Sequence, residues 1–399
     1  MITLIKNEII KLIFRRKTLV TLIAFIVLII LIAFGLYKEN ELMARNQDPK
    51  YRIQEIQSNI DRLGNRINSN RTSEDEKLMY ENNIKSLQAE IQKIKDNPAP
   101  VQTDWKETLK TDIQNIQKNL QSTTISARMK EQNRKQLTIA QYLLRNNIKP
   151  MEDYEFNGAN YLQTLFKTLG MIFLAVGVAI FLSDMVSGEY TPPTAKFLLI
   201  QPISRAKILF SKYITSILSA VVLICGIELI AFALIGIFTG FGNMNYPVLV
   251  GERFQYDLSY VNQFGGHDLI SIAGTAHMVP MFKYLIEAFL LQILFIIACT
   301  TFVFMISTVS KSSMIAMSVS IAAIIAVSAL QNVATITKEI TSFIFIIYGD
   351  VNAVLSGGAA MTLGLTYPTT AFIILILIIW TIASYLIAHF VFVKRDILI

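Results

Sequence analysis

Runs of roughly 17 to 25 apolar residues begin near Thr18, Leu162, Tyr213, Tyr284, Met314 and Thr369, and they constrain this chain more than any other feature. In lipid no water is present to satisfy peptide N–H and C=O groups, so each such run must close its hydrogen bonds on itself as a helix. Composition agrees. Over 399 residues the chain is 53% hydrophobic and only 16% charged, richer in apolar residues than soluble domains are. The first run, from Thr18 to Tyr37, is longer than a secretory signal core, and "FGLYKENEL" after it has no small-residue cleavage pattern. It reads as an anchor, and six transmembrane helices are expected.

Basic residues give an orientation. Lys6, Lys11, Arg15, Arg16 and Lys17 precede the first run; Lys196, Arg205, Lys207 and Lys212 separate the second and third; Lys311 separates the fourth and fifth; Lys394 and Arg395 end the chain. With six spans all of these fall on one side. The other side carries only Arg253, Lys283 and Lys338 near spans, apart from one loop too long to count, so both termini are expected in the cytoplasm. The net charge of +7 is then explained by this bias and by contact with an anionic lipid bilayer, without a nucleic-acid partner. Cys225 and Cys299 fall within apolar runs and read as small apolar side chains. His267, His277 and His389 are scattered, so no metal site is expected.

Between the runs the chain changes character. Residues 1–17 alternate Leu4, Ile5, Ile9, Ile10 and Leu12 with Lys6, Glu8, Lys11, Arg15 and Arg16, a pattern suited to an amphipathic helix lying in the cytoplasmic interface. The first span, 18–37, leads into residues 38–160. There Ile53, Ile56, Ile60, Leu63 and Ile67 step by three and four, as do Tyr80, Ile84, Leu87, Ile91 and Ile94, and then Leu109, Ile113, Ile116 and Leu120. These are coiled-coil seams, broken at 68–75 and 96–100, with a fourth helical stretch before Pro150. An extracytoplasmic helical hairpin or small bundle is expected, its arms about 30 Å long. The remaining five spans lie in 161–399, with a cytoplasmic loop at 184–212, an outer loop at 240–283 that has no clear periodicity, and an apolar but interrupted segment at 338–367. The last reads as re-entrant, since irregular backbone at membrane depth must be buried in protein. The expected fold is therefore an all-α membrane protein with an interfacial helix and a coiled-coil insertion.

Catalytic signatures are missing. There is no G-x-x-x-x-G-K-[ST] phosphate loop, no H-E-x-x-H, no G-x-S-x-G and no metal-spaced cysteine set, so no catalytic residue, metal or resident cofactor is expected. Isolated charges within apolar runs stand out instead: Glu228 near the middle of the third, Glu287 and Lys167 near the outer ends of the fourth and second. A charge at the bilayer centre costs about 2.5 kcal/mol or more, so Glu228 must face protein, water or a hydrogen-bond partner. Either a helix-packing contact or a place in a cargo or ion path satisfies that requirement, and Glu287 joins it as a path candidate.

The inner loop "SDMVSGEYTPPTAKFLLIQPISRAKILFSKY" holds a short apolar piece, Phe197 to Ile200, stopped by Pro202 and followed by Arg205, Lys207 and Lys212. A short helix set there would be a lever for another protein to push. Glu189, Leu198, Leu199, Pro202, Ile203, Ser204, Arg205 and Lys212 together resemble the intracellular coupling region of type-2 ATP-binding-cassette (ABC) export permeases. That region commonly has a Gly-Thr pair where this chain has "TPPT" (191–194), of which only Thr194 matches. The opening "KNEIIKLIFRRKT", the short "STVSKSS" (307–313) and the closing "FVFVKRDIL" extend the resemblance along the chain.

The resemblance implies a transmembrane subunit of an exporter in a bacterial plasma membrane. It would pair with a second permease, identical or different, and with two ABC ATPase subunits that supply the ATP and magnesium chemistry. It also implies an ATPase contact through Glu189, Phe197, Leu198, Pro202, Ser204 and Arg205, with Glu8, Arg15 and Arg16 of the first helix nearby. Expected cargo is amphipathic or hydrophobic, such as a peptide, antibiotic or lipid-like molecule, with an ion as a further option. The competing reading is a membrane sensor or immunity protein whose coiled-coil insertion binds an extracellular peptide without transporting it.

Overall fold

Helices dominate the computed structural model, which describes residues 1–67, 74–96, 104–122, 125–190, 203–258, 266–330 and 335–394. The interfacial segment forms α1 (Ile2–Ile13), which ends at Phe14; α2 (Arg16–Gln47) follows after an extended residue, Arg15. The break is held by the Thr18 hydroxyl, which donates to the Leu12 carbonyl at 2.6 Å. On α1 only Glu8 and Leu12 are buried, one turn apart, while Ile2, Ile13 and Phe14 are exposed. That split suits a helix with one edge on protein and another on lipid.

The first apolar run accounts for only part of α2, which continues past Tyr37 to Gln47. "KENELMARNQ" has no helix breaker, and Lys38 and Arg45 both pair with Glu41 on the same face, so the helix propagates beyond its apolar part. Four amphipathic helices come next: α3 (Pro49–Ile67), α4 (Glu74–Asp96), α5 (Trp105–Gln121) and α6 (Ala127–Arg145). They pack as two pairs. Ile56, Ile60 and Ile91 form one small core with Ile53, Ile84, Leu87 and Ile94 around it. Leu109, Ile113, Ala140, Leu143 and Ile148 form the other, with Trp105 and Tyr246 at its edge. Of the breaks expected at 68–75 and 96–100, residues 68–73 and 97–100 lie outside the described residues, while Glu74, Asp75 and Asp96 are already part of α4.

Among the described residues five helices are long and apolar enough to cross a membrane. They are α2, α9 (Arg205–Thr239), α10 (Met281–Val309), α11 (Ser313–Leu330) and α15 (Thr370–Lys394). The second apolar run, expected as one helix, is built instead from α7 (Gly158–Thr168), a π-helical turn (Leu169–Phe173) and α8 (Leu174–Leu182), pieces of 11, 5 and 9 residues. The π turn has a steric reason. Gly170 lies against the backbone at Gly349, and a Cβ on Gly170 would come within 2.1 Å of the Gly349 oxygen. Widening the helix by one residue lets a second backbone approach there.

Small side chains let the helices close together: Ala159, Ala179, Ala220, Ala288, Ala298, Ala316 and Ala388 are all fully buried. Outward faces of the long helices show the reverse, with Val20, Ile30 and Phe34 on α2 and Val222, Ile237 and Phe238 on α9 exposed. Apolar surfaces of that extent belong in lipid or against another membrane chain.

Two further segments differ from a plain bundle. The stretch at 240–283, which showed no clear periodicity, contains β1 (Pro247–Val250) paired antiparallel with β4 (His277–Pro280), and β2 (Phe254–Tyr256) paired with β3 (Leu269–Ser271). Val250, Phe254, Leu269 and Val279 supply their buried sides. The interrupted segment becomes α12 (Thr335–Thr341), a 3-10 turn (Phe345–Tyr348), α13 (Val351–Ser356) and α14 (Gly358–Leu363). Phe345, Tyr348 and Val351 are buried, and Phe345 packs in tilted and edge-on contacts with Phe295, Phe302 and Trp380, so this irregular backbone is enclosed by protein.

Candidate functional site

The run of residues leading out of α8 and the run leading into α9 flank the loop expected to be cytoplasmic, and a set of charges joins them. After α8 a 3-10 turn (Ser187–Tyr190) carries Glu189; Lys212 sits two turns into α9, between the buried Ser211 and Tyr213. Lys212 is 1% exposed. Its ammonium donates to Glu8 Oε2 and to Glu189 Oε1, each at 2.8 Å. Lys11, one turn along α1 from Glu8, lies 3.3 Å from Glu8 and 3.8 Å from Glu189 at the surface. Among the described residues two carboxylates and two ammonium groups therefore meet here.

The electrostatics favour a rigid joint. Removing an ion from water is expensive, and its partner repays that cost only when the geometry is good and the remaining donors are satisfied. Lys212 makes two charge-assisted bonds from a single head group, the stronger type. A second set lies beside it: Arg15 and Lys17 are 3.5 and 3.2 Å from Asp184 Oδ1, and Lys17 also donates to the Ser183 hydroxyl at 3.3 Å. The Ser307 hydroxyl near the end of α10 accepts from the backbone N–H of Val186 and Ser187, both at 3.1 Å. α1, the start of α2, the end of α8, the start of α9 and the end of α10 are thus joined at one end of the bundle.

Of the residues expected from the sequence, Glu8, Arg15 and Glu189 come together in this joint. Arg16 is exposed at the start of α2, Ser204 is the exposed N-cap residue of α9, and Arg205 is half-buried at its first turn. Phe197, Leu198 and Pro202 lie outside the described residues. Glu8 and Glu189 are buried within the chain, facing Lys212. By sequence Lys212 reads as part of a basic cluster and of the coupling-region resemblance, neither of which makes it the centre of a joint. Its partners lie 204 and 23 residues away, and nothing local signals the longer pairing.

The intramembrane acids differ from each other. Glu228 is fully buried in α9 and accepts a 2.9 Å hydrogen bond from Gln292 Nε2 of α10. Glu228 Oε2 and Gln292 Oε1 have no hydrogen-bond partner among the described residues. Glu287, by contrast, is partly exposed and sits 3.8 Å from Lys283 one turn earlier on α10. Lys167 is exposed at the end of α7. Gln292 was missed because a lone glutamine in an apolar run is unremarkable until the helix facing it is known. Among the described residues no group of His, Cys, Asp or Glu is arranged to hold a metal ion.

Comparison with known proteins adds two findings. Residues 2–397 match the model of a family described as ABC-2 family transporter protein. The chain is also 26% identical over 302 residues to a Bacillus subtilis (strain 168) protein named Uncharacterized protein YhcI, a match covering 73% of this chain and 84% of the relative.

Proposed function

Since the chain belongs to the ABC-2 transporter family, and is a multi-pass membrane permease without an ATPase domain, we propose that it is the membrane half of an ATP-driven exporter. Permeases of this family pair with ABC ATPase subunits. In this reading two ATPase copies dock on the cytoplasmic loop 184–212 of a permease pair, identical or different, in a bacterial plasma membrane. The segment from α7 to α8 serves as the sixth span, both termini are cytoplasmic, and α3–α6 stand outside the cell. Cargo is amphipathic or hydrophobic.

The observation that carries the proposal is the burial of Lys212 between Glu8 and Glu189. Burying these ions costs desolvation that only close pairing offsets, so the elements that carry them are held at a fixed spacing. A joint of this kind makes the first helix, the turn after α8 and the start of α9 move as one body. A push delivered between residues 190 and 204 then reaches α8 and α9 at once. Glu189 and Glu8 act as braces behind the ATPase contact, and Ser204 and Arg205 lie at its edge.

Efflux assays test the transport reading. Cells carrying the chain and its ATPase should export cargo, and should stop when the ATPase phosphate-loop lysine is replaced. Ligand capture by α3–α6 with no ATP-dependent efflux would favour the sensor reading.

A further inference from the structure

The broken segment encloses a cavity of about 470 Å³, bounded by Gly170 of the π turn, Ser328 of α11, Asp350, Thr362 and the apolar Ile347 and Leu363. Its depth follows from one contact. Gly170 lies midway between Gly158 and Leu182, and Gly349 touches it directly. If α7 to α8 spans the bilayer, as in the reading above on which this inference rests, the Gly170–Asp350 end of the cavity lies near the middle of the membrane, while its Thr362 end lies toward the strands, where Tyr256 bonds the Gly364 carbonyl.

Asp350 is the charged side chain in that wall. Its Oδ1 is occupied, accepting the N–H groups of Asn352 and Ala353 at 3.1 and 3.2 Å as the N-cap of α13. Its Oδ2 has no hydrogen bond among the described residues. The cap therefore uses one oxygen and leaves the other with the cavity. Tyr348 is already committed, its hydroxyl donating to the Ser342 carbonyl at 2.6 Å, and Lys167, the nearby cation, is exposed in the last turn of α7. A carboxylate at membrane depth is costly and marks a functional site unless a partner neutralises it.

We infer that this cavity binds the positively charged head of an amphipathic organic cation, with Asp350 as its counter-ion and Ile347 and Leu363 against the apolar body. An inorganic ion fits less well. Such ions need several oxygen ligands at once, whereas this wall offers one carboxylate, the Ser328 and Thr362 hydroxyls and mostly hydrocarbon. Pockets that are largely apolar with a few placed polar groups are the usual form of small-molecule sites.

The test is equilibrium dialysis of radiolabelled benzyltrimethylammonium against the purified full chain in phosphatidylcholine nanodiscs, with empty nanodiscs subtracted. Saturable binding is expected, weakened at least tenfold by Asp350→Asn, which keeps the helix cap, and blocked by Thr362→Trp at the exposed rim. Benzenesulfonate should not compete. Absence of saturable binding, an Asp350→Asn variant that binds as well as the parent, or equal competition by benzenesulfonate would each overturn the inference. The chain is assayed without its ATPase, so failure here leaves the exporter reading standing. Conversely, failure to find an ATPase would leave cation binding intact.

Discussion

Lys212 and Glu189 are 23 residues apart in the chain, on either side of the loop between α8 and α9, and their charged groups meet at 2.8 Å in the protein interior. The loop between them is therefore clamped at its base. Whatever binds the loop works against a fixed frame, with α1 held to the same ammonium through Glu8.

Removing the ammonium should be more damaging than removing either acid. Lys212→Met takes away the ammonium that Glu8 and Glu189 share in the interior, a loss of about 3 to 5 kcal/mol for a broken buried pair. Glu8→Gln leaves Lys212 with Glu189 and should cost less. Melting of the purified chain in detergent ranks the variants; an unchanged midpoint for Lys212→Met would remove the joint from the account.

Close backbone approach at the π turn predicts a sharp contrast among glycines. Gly170→Ala and Gly349→Ala each place a Cβ 2.1 Å from a carbonyl oxygen, so each should lower stability by about 3 kcal/mol, the upper end of overpacking costs. Gly226→Ala, with no atom within 4 Å of the new methyl, should be neutral or slightly stabilising. Equal melting of all three would mean that the two backbones do not touch.

Within the bundle the Glu228–Gln292 pair makes a directional prediction. Gln292→Leu removes the donor from a fully buried carboxyl and should destabilise more than Glu228→Gln, which keeps shape and an acceptor oxygen. Efflux then separates the roles: a path residue alters cargo export in Glu228→Gln, whereas a packing residue leaves it as in the parent.

The two helical pairs should tolerate deletion unequally. Replacing residues 50–103 with a Gly-Ser bridge removes α3 and α4 and their own small core. Removing α5 and α6 as well uncovers Ile148 and Tyr246 and deletes the ion pair between Lys135 and Glu252. The shorter deletion should insert and melt like the parent, and the longer one should melt several degrees lower; the reverse order would show that α3–α4 brace the membrane part.

Much of the helical layout was legible because lipid imposes a strong pattern: runs near Thr18, Tyr213, Tyr284, Met314 and Thr369 each coincide with a long helix. The π turn was not, because "LGMIF" is equally apolar in either helix type and its cause, Gly349, is 179 residues away. Strands such as Pro247–Val250 escaped because four residues are too few to show a period and their partners are distant. In the inner joint every charge was visible and their pairing was not. Lys212 reads by sequence as part of a basic cluster and of the coupling-region resemblance that includes Glu189, and only packing of α1 against α9 shows that it also pairs with Glu8.

A permease driven through the loop between α8 and α9 should bring its motor with it when the tagged chain is purified from host membranes in mild detergent. An ABC ATPase with ATP hydrolysis is expected in the eluate, both reduced by Arg205→Glu while the amount of inserted chain is unchanged. A chain that purifies alone and without hydrolysis, in a detergent that preserves other ABC complexes from the same membranes, would contradict the exporter reading.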